Sequence, residues 1–187
     1  MKNILIEELY KLYLQHPVVC TDTRNIKSGS LFFALKGGNF NANDFAAEAI
    51  NKGCSYAIID EEKHYSAGCI LVPDVLIALQ KLANHHRRQF TIPVIGITGT
   101  NGKTTTKELT ATVLSKKYNT LHTQGNLNNH IGVPLTLLNL TKEHEMAVIE
   151  MGANHVGEIH KLSTIAEPDY GIITNIGKPH LEGFGGY

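Results

Sequence analysis

Val94-Ile95-Gly96-Ile97-Thr98-Gly99-Thr100-Asn101-Gly102-Lys103-Thr104-Thr105 is the stretch that decides how this chain folds. Four β-branched residues around one glycine open it, the pattern of a short buried strand. From Lys103 to about Lys117 the sequence then favours a helix. Between the two, Gly99 and Gly102 allow the backbone to turn its N–H groups inward. The helix N-terminus adds partial positive charge at that point, and Lys103 adds a full one. The Thr104 hydroxyl is an oxygen ligand suited to Mg²⁺. Gly99, Thr100, Asn101, Gly102, Lys103, Thr104 and Thr105 are therefore expected to hold the phosphates of a nucleotide. A strict phosphate loop would begin with glycine at position 97, where this chain has Ile97, flanked by Gly96 and Gly99. The expectation rests on the strand–loop–helix context, since a plain structural turn would not need the Gly-Lys-Thr-Thr run.

Downstream, Ala147-Val148-Ile149-Glu150 and Tyr170-Gly171-Ile172-Ile173-Thr174 read as further strands, with a short one at Thr120 to His122. A helix is expected between them, around Val156 to Ile165. Strands alternating with helices predict an α/β domain whose mainly parallel sheet is covered on both faces. Glu150 closes its strand at the carboxyl end, the edge that faces the loop in such folds. An isolated strand-end glutamate is ordinarily a solvated rim residue; beside a phosphate loop it becomes a candidate Mg²⁺ ligand. His180 follows the strand that ends near Thr174-Asn175 and belongs to the same rim, although position alone marks it among ten histidines. Asn126-Leu127-Asn128-Asn129-His130 leaves two readings open. Its amides either meet a polar substrate or satisfy the loop's own backbone.

Upstream lies a second pattern. Leu5, Leu9, Leu12 and Tyr13 recur at helical spacing, and Ser30 to Leu35 reads as a buried strand closed by Gly37-Gly38. Asp44 is placed to cap a helix running to about Asn51. Tyr56 to Ile59 and Ile70 to Val72 are strands, and Val75 to Phe90 is a helix with Leu76, Leu79, Leu82 and Ala83 on its buried face. This predicts a small N-terminal α/β domain, residues 1–90, followed by a phosphate-loop domain over 91–187, with the boundary near 88–93. Only about three strands of the second sheet are expected before Tyr187, so that domain reads as incomplete.

Bulk properties exclude several classes. A hydrophobic fraction of 42% and a charged fraction of 18% are those of an ordinary globular chain. Lys+Arg and Asp+Glu both total 17, leaving no basic excess for nucleic acid. The one basic run, His85-His86-Arg87-Arg88, suits the negative end of a helix dipole. Three cysteines, Cys20, Cys54 and Cys69, lack C-x-x-C spacing; Cys54 and Cys69, in or beside apolar runs, read as buried free thiols, and the pattern fits a reducing cytoplasm. No apolar run reaches membrane-spanning length, so neither a membrane nor a nucleic-acid partner is expected.

The phosphate loop, Glu150 within Val148-Ile149-Glu150-Met151-Gly152-Ala153-Asn154, and Thr174-Asn175-Ile176-Gly177-Lys178-Pro179-His180 together resemble the Mur ligase family. Thr21-Asp22-Thr23-Arg24 and Gly29-Ser30-Leu31-Phe32-Phe33-Ala34-Leu35-Lys36-Gly37 resemble that family's uridine-nucleotide-binding N-terminal domain. Where the family carries Asp-Gly-His, this chain has Asn41-Ala42-Asn43 ahead of Asp44-Phe45. Gly125 to Pro134, and the segment from Glu150 to Ile159, are similar to the family's dipeptide-adding branch. The resemblance implies an ATP-dependent, Mg²⁺-requiring ligase of cytoplasmic peptidoglycan synthesis. Its substrates would be UDP-N-acetylmuramoyl-tripeptide and D-alanyl-D-alanine, joined through an acyl phosphate. It further implies that Lys103, Glu150 and His180 are catalytic, that Thr104, Glu150 and His180 hold metal, and that Asn175 joins the ATP site. Thr23, Arg24 and Lys36 would bind the uridine nucleotide, and Asn126, Asn128 and Asn129 the muramoyl-peptide end. Family members also carry a carbamylated lysine, expected shortly beyond Tyr187, and a third domain. The 187 residues alone are thus expected to be inactive.

Overall fold

A computed structural model describes residues 5–177, and its contacts divide the chain after Leu82 into two compact units. The first opens with α1 (Ile6–Gln15), which buries Leu9 and Tyr13 and sets Glu7 and Glu8 in the first turn, where the helix dipole favours acids. Then come β1 (Val19–Cys20), β2 (Leu31–Phe33), the antiparallel hairpin β3 (Lys36–Gly37) and β4 (Phe40–Asn41), α2 (Ala46–Asn51), β5 (Tyr56–Ile59), β6 (Cys69–Leu71) and the start of α3 (Val75–Arg87), whose residues from Ala83 onward belong to the second unit. The main sheet runs β1-β2-β5-β6 with every pair parallel. Phe32, Ala34, Ala57 and Ile59 form one core with Ala42, Ala46, Ala49 and the three cysteines. Leu31, Phe33 and Ile58 alternate to the opposite face and are equally buried. Burial on both faces is why these strands read as unbroken apolar runs. Cys54 and Cys69 are free and buried, as expected, Cys20 is so too, and burial pushes the Cys54 thiol up to about 11.

Asp44 does not cap α2. A 3₁₀ turn over Ala42–Phe45 precedes that helix, capped by the Asn41 side chain accepting from the Asn43 N–H at 3.1 Å. Asp44 pairs with His64 instead. Asn41, three residues before Asp44, caps the turn that leads into the helix, and a sequence reading has no means of ranking the two. The two-residue elements β1, β3 and β4 are too short to carry any alternation.

In the second unit β7 (Val94–Thr98), α4 (Lys103–Leu114), β8 (Thr120–His122), α5 (Gly132–Leu137), β9 (Met146–Glu150), α6 (Glu158–Ala166) and β10 (Tyr170–Ile173) follow in turn. The described residues form a four-stranded parallel sheet in the order β10-β7-β9-β8, against the three or so strands expected. Val94, Ile97, Ala147, Val148 and Ile149 of the two central strands are fully buried. Helix α5 escaped the sequence reading because Gly132-Val133-Pro134 reads as a loop. Pro134 is tolerated there because the first turn of a helix needs no N–H donors.

The end of α3 explains why the division falls after Leu82 and not at 88–93. Asn84 donates to the Ile165 carbonyl at 3.0 Å, and His86 Nε2 to the Leu140 carbonyl at 2.9 Å. Arg87, 7% exposed, donates to the carbonyls of Phe90, Ala166 and Glu167 and pairs with Asp169. The basic run therefore neutralises the carbonyl end of α6. Asp169 in turn accepts from the Val94 N–H at 2.8 Å, tying the start of β7 to the same cluster.

Replacing Arg87 by alanine strands these acceptors, so Arg87→Ala should lower unfolding stability by about 2 kcal/mol. Urea unfolding followed by far-UV circular dichroism measures it, and a loss under about 0.5 kcal/mol would contradict the clamp.

Candidate functional site

The register of β7 with β9 sets Ile97 opposite Glu150, so the acid lies level with the start of the glycine loop. Glu150 is fully buried. Its Oε1 accepts from the Thr104 hydroxyl at 3.1 Å and from Asn128 Nδ2 at 2.8 Å, and its backbone N–H donates to Thr123 Oγ1 at 2.9 Å. No donor among the described residues reaches Oε2, although that atom is also shut away from solvent. A buried carboxylate oxygen without a partner is costly, and it marks where a positive group belongs.

The loop itself is braced by the segment that follows β10. The Thr100 N–H donates to the Asn175 carbonyl at 3.0 Å, and the Asn101 N–H to Asn175 Oδ1 at 2.9 Å. Thr174 Oγ1 donates to the Asn101 carbonyl at 2.6 Å, while the Gly177 N–H reaches Thr100 Oγ1 at 2.9 Å. Gly99 sits at φ +133°, and a Cβ there would lie 2.2 Å from Thr174 Oγ1, so no other residue fits. Gly102, at φ +79°, precedes α4 in the left-handed conformation and starts the helix without a side-chain cap. The first bond of this turn runs from the Thr106 N–H to the Gly102 carbonyl at 2.9 Å. The N–H groups of Lys103, Thr104 and Thr105 thus have no carbonyl of a preceding turn to bond, the usual condition of a helix start. Lys103 Nζ folds back onto the Gly99 and Thr100 carbonyls at 2.7 and 3.0 Å. Those are bonds that an arriving phosphate can replace.

These residues fit a hard divalent cation. A hydroxyl and a carboxylate meet at Thr104 and Glu150, and the orphaned Oε2 supplies a free acceptor. The Thr104 hydroxyl can give its proton to Oε1 and keep its lone pairs for a metal. Among the described residues no three His, Cys, Asp or Glu side chains gather into a metal-holding group. Phosphate oxygens and water are ligands that such an ion takes readily. His180 lies outside the described residues.

Sequence reasoning placed the loop and Glu150 on one edge, and the structure brings them into contact. It had no signal for Thr123, and it placed Asn175 in the nucleotide site, where the structure has it bracing the loop backbone. The amide cluster splits between its two readings. Asn129 Oδ1 accepts from the Ile131 and Gly132 N–H groups, satisfying local backbone, whereas Asn128 reaches Glu150. The Asn126 carbonyl accepts from the Asn128 N–H at 2.8 Å.

The remaining candidates belong to the first unit. Asp22 caps a 3₁₀ turn over Thr23–Asn25, and the exposed Arg24 grips its carboxylate through Nε and Nη2 at 2.6–3.0 Å. That guanidinium holds the Asp22 carboxyl down at about 2. The Thr23 carbonyl accepts from Lys52 Nζ at 3.0 Å. Lys36 Nζ lies 3.0 Å from Asp60, whose nearly buried carboxylate raises the lysine's pKa. Asn43 exchanges two bonds with Asp60, Nδ2 to Oδ1 at 2.9 Å and Asp60 N–H to Asn43 Oδ1 at 3.0 Å. The Asn41-Ala42-Asn43 variation thus holds the acid that holds Lys36. No described helix is long and apolar enough to cross a membrane.

Residues 97–187 match the Mur ligase middle domain. The chain is 43% identical to the UDP-N-acetylmuramoyl-tripeptide–D-alanyl-D-alanine ligase of Escherichia coli over 99% of its own length, and 41% identical to that of Bacillus subtilis, again over 99%. It spans 41% of the length of each of these relatives. Among solved structures it is similar to MurF from Acinetobacter baumannii, with a TM-score of 0.85 and 46% identity over 90% of this chain and 37% of that one. It is also similar to the MurF ligase of Thermotoga maritima in complex with ADP, with a TM-score of 0.82 and 36% identity over 90% of this chain and 39% of that one.

If Oε2 of Glu150 is unsatisfied without a cation, Glu150→Gln removes a buried charge and should raise metal-free stability by about 1 kcal/mol. Thermal melting in excess chelator tests this. A clear fall in melting temperature would show that the carboxylate is fully satisfied by the protein.

Proposed function

Because the chain belongs to the Mur ligase family, we propose that its protein is an ATP-dependent ligase that joins D-alanyl-D-alanine to UDP-N-acetylmuramoyl-tripeptide in the cytoplasm. The observation that carries this reading is the contact of Thr104 with Glu150, made where the phosphate loop meets the end of a neighbouring parallel strand.

The tripeptide's terminal carboxylate attacks the γ-phosphorus of ATP, the bond to the bridging oxygen breaks, and ADP leaves. The dipeptide's amine then attacks the acyl phosphate. Inorganic phosphate departs, the nitrogen loses its proton and an amide bond remains. The first step brings like charges together: two unit charges about 4 Å apart repel by roughly 4 kcal/mol at an effective dielectric of 20. Lys103 counters this by leaving the Gly99 and Thr100 carbonyls for phosphate oxygens, and the helix N-terminus supplies backbone donors beside it. Mg²⁺ held by Thr104 and Glu150 would neutralise further phosphate charge when bound. Thr174 and Asn175 keep the loop in shape before nucleotide arrives, so little of the ordering is left to the binding step.

In the first unit, Thr23, Arg24 and Lys36 are proposed to anchor the uridine nucleotide. Asp22 holds the Arg24 fork in one orientation, and Asp60 keeps Lys36 protonated and directed. An anchor on another part of the substrate turns binding energy into orientation at the carboxylate.

Lys103→Ala in the complete protein should cut phosphate release at least about 100-fold while leaving the melting temperature within a few degrees. In the unaltered protein that release should need both the UDP-linked tripeptide and D-alanyl-D-alanine. Release without either acceptor, or normal turnover by the variant, overturns the reading. Arg24→Ala should raise KM for the UDP-linked substrate about tenfold and leave KM for ATP nearly unchanged. Equal changes in both would assign Arg24 a general structural part.

A further inference from the structure

We infer that Asn128 is a positioning residue, one that sets the orientation of the Glu150 carboxylate so that Oε2 is offered to the cation. The inference rests on the proposed Mg²⁺–nucleotide reading of this edge. It gives Asn128 a part different from contact with the muramoyl peptide, which the family resemblance implies.

Three observations converge on this residue. Its Nδ2 donates to Glu150 Oε1 at 2.8 Å, the shorter of the two side-chain bonds the carboxylate accepts. A fully buried carboxylate with both donors on one oxygen has its rotation fixed, because turning it about the terminal bond would break both bonds at once. The other oxygen is then presented without a partner, as found. The Asn128 backbone is also held on both sides. Its N–H donates to the Asn126 carbonyl at 2.8 Å, and its carbonyl accepts from the Gly152 N–H at 2.7 Å.

Gly152 supplies the third observation. A Cβ at that position would lie 3.0 Å from Asn128 Cγ and 3.1 Å from both terminal atoms of its amide. The absence of a side chain two residues beyond Glu150 therefore leaves the space the amide occupies. Strand β9, the turn at Gly152 and the loop carrying Asn128 form one small unit around a single carboxylate. Thr104 differs from Asn128 in this respect. Its hydroxyl would also be asked to bind the cation, so Asn128 is the donor free to act on Glu150 alone.

The test measures ADP affinity by titration calorimetry in the complete protein, with Mg²⁺ and with chelator, for the unaltered protein, Asn128→Ala, Gly152→Ala and the double variant. For the unaltered protein Mg²⁺ should tighten ADP binding, and Glu150→Gln should abolish that gain. Asn128→Ala should reduce the Mg²⁺-dependent gain about tenfold with metal-free ADP affinity within about twofold. Gly152→Ala should reduce it about threefold by displacing the amide, with no further loss when added to Asn128→Ala, because the displaced group is already gone. Melting temperatures of all five proteins, Glu150→Gln included, confirm folding, and the non-additive pattern is one that general destabilisation would not produce. An undiminished Mg²⁺ gain in Asn128→Ala, equal loss of metal-free and metal-dependent binding, or additive losses in the double variant each overturn the inference. A Mg²⁺ gain that survives Glu150→Gln would instead sink the underlying cation site, and the part given to Asn128 with it.

Discussion

A carboxylate shut away from water at the end of a central strand constrains everything around it. Glu150 sits where β9 runs beside β7, and hydrophobic residues on both faces of that sheet put it beyond the reach of solvent. Such a group must be answered by donors or by a cation. The protein answers one oxygen with Thr104 from the helix and Asn128 from a loop, and leaves the other open. The open valence is the physical basis for reading this edge as a place for Mg²⁺ and phosphate. A rim glutamate in water would carry no such implication.

Rigidity around that carboxylate comes from short-range devices. Gly99 lets the loop approach Thr174 more closely than any Cβ would permit, and the Thr174–Gly177 segment then bonds to the loop's backbone and to the Thr100 hydroxyl. The loop is therefore braced by the strand on one side of β7, while Glu150 comes from the strand on the other. Arg87 extends the same economy of parts, since one buried guanidinium satisfies the carbonyl end of α6 and the aspartate at the start of β10. In the first unit Asp22 and Asp60 do comparable work for Arg24 and Lys36, holding each cation through a charge-assisted bond.

The parallel α/β class and the loop were legible because strand and helix periodicity, glycine placement and the Lys-Thr pair all point the same way. The edge location of Glu150 followed from the parallel topology alone. What the sequence did not yield depended on contacts between distant residues or on very short elements. Asn128 and Asn129 are identical neighbours in an amide-rich loop, yet Asn129 answers the Ile131 and Gly132 N–H groups and Asn128 reaches a carboxylate on β9. Only the packing of Gly152 against that loop separates them. Thr123 looked like any strand-end threonine until its hydroxyl met the Glu150 N–H. Helix α5 was hidden by its own proline, and the division after Leu82 by a helix whose end bonds into the second unit.

The central claim is that Glu150 Oε2 and Thr104 Oγ1 together face a nucleotide-bound cation. The most direct measurement is a crystal structure of the complete protein with ADP and Mg²⁺. The account predicts phosphate oxygens on the N–H groups at the start of α4, and Mg²⁺ about 2.1 Å from Thr104 Oγ1 with Glu150 Oε2 as a ligand directly or through one water. Phosphates bound away from the Gly99–Thr105 loop, or Oε2 turned onto a protein donor with the cation held elsewhere, would contradict it.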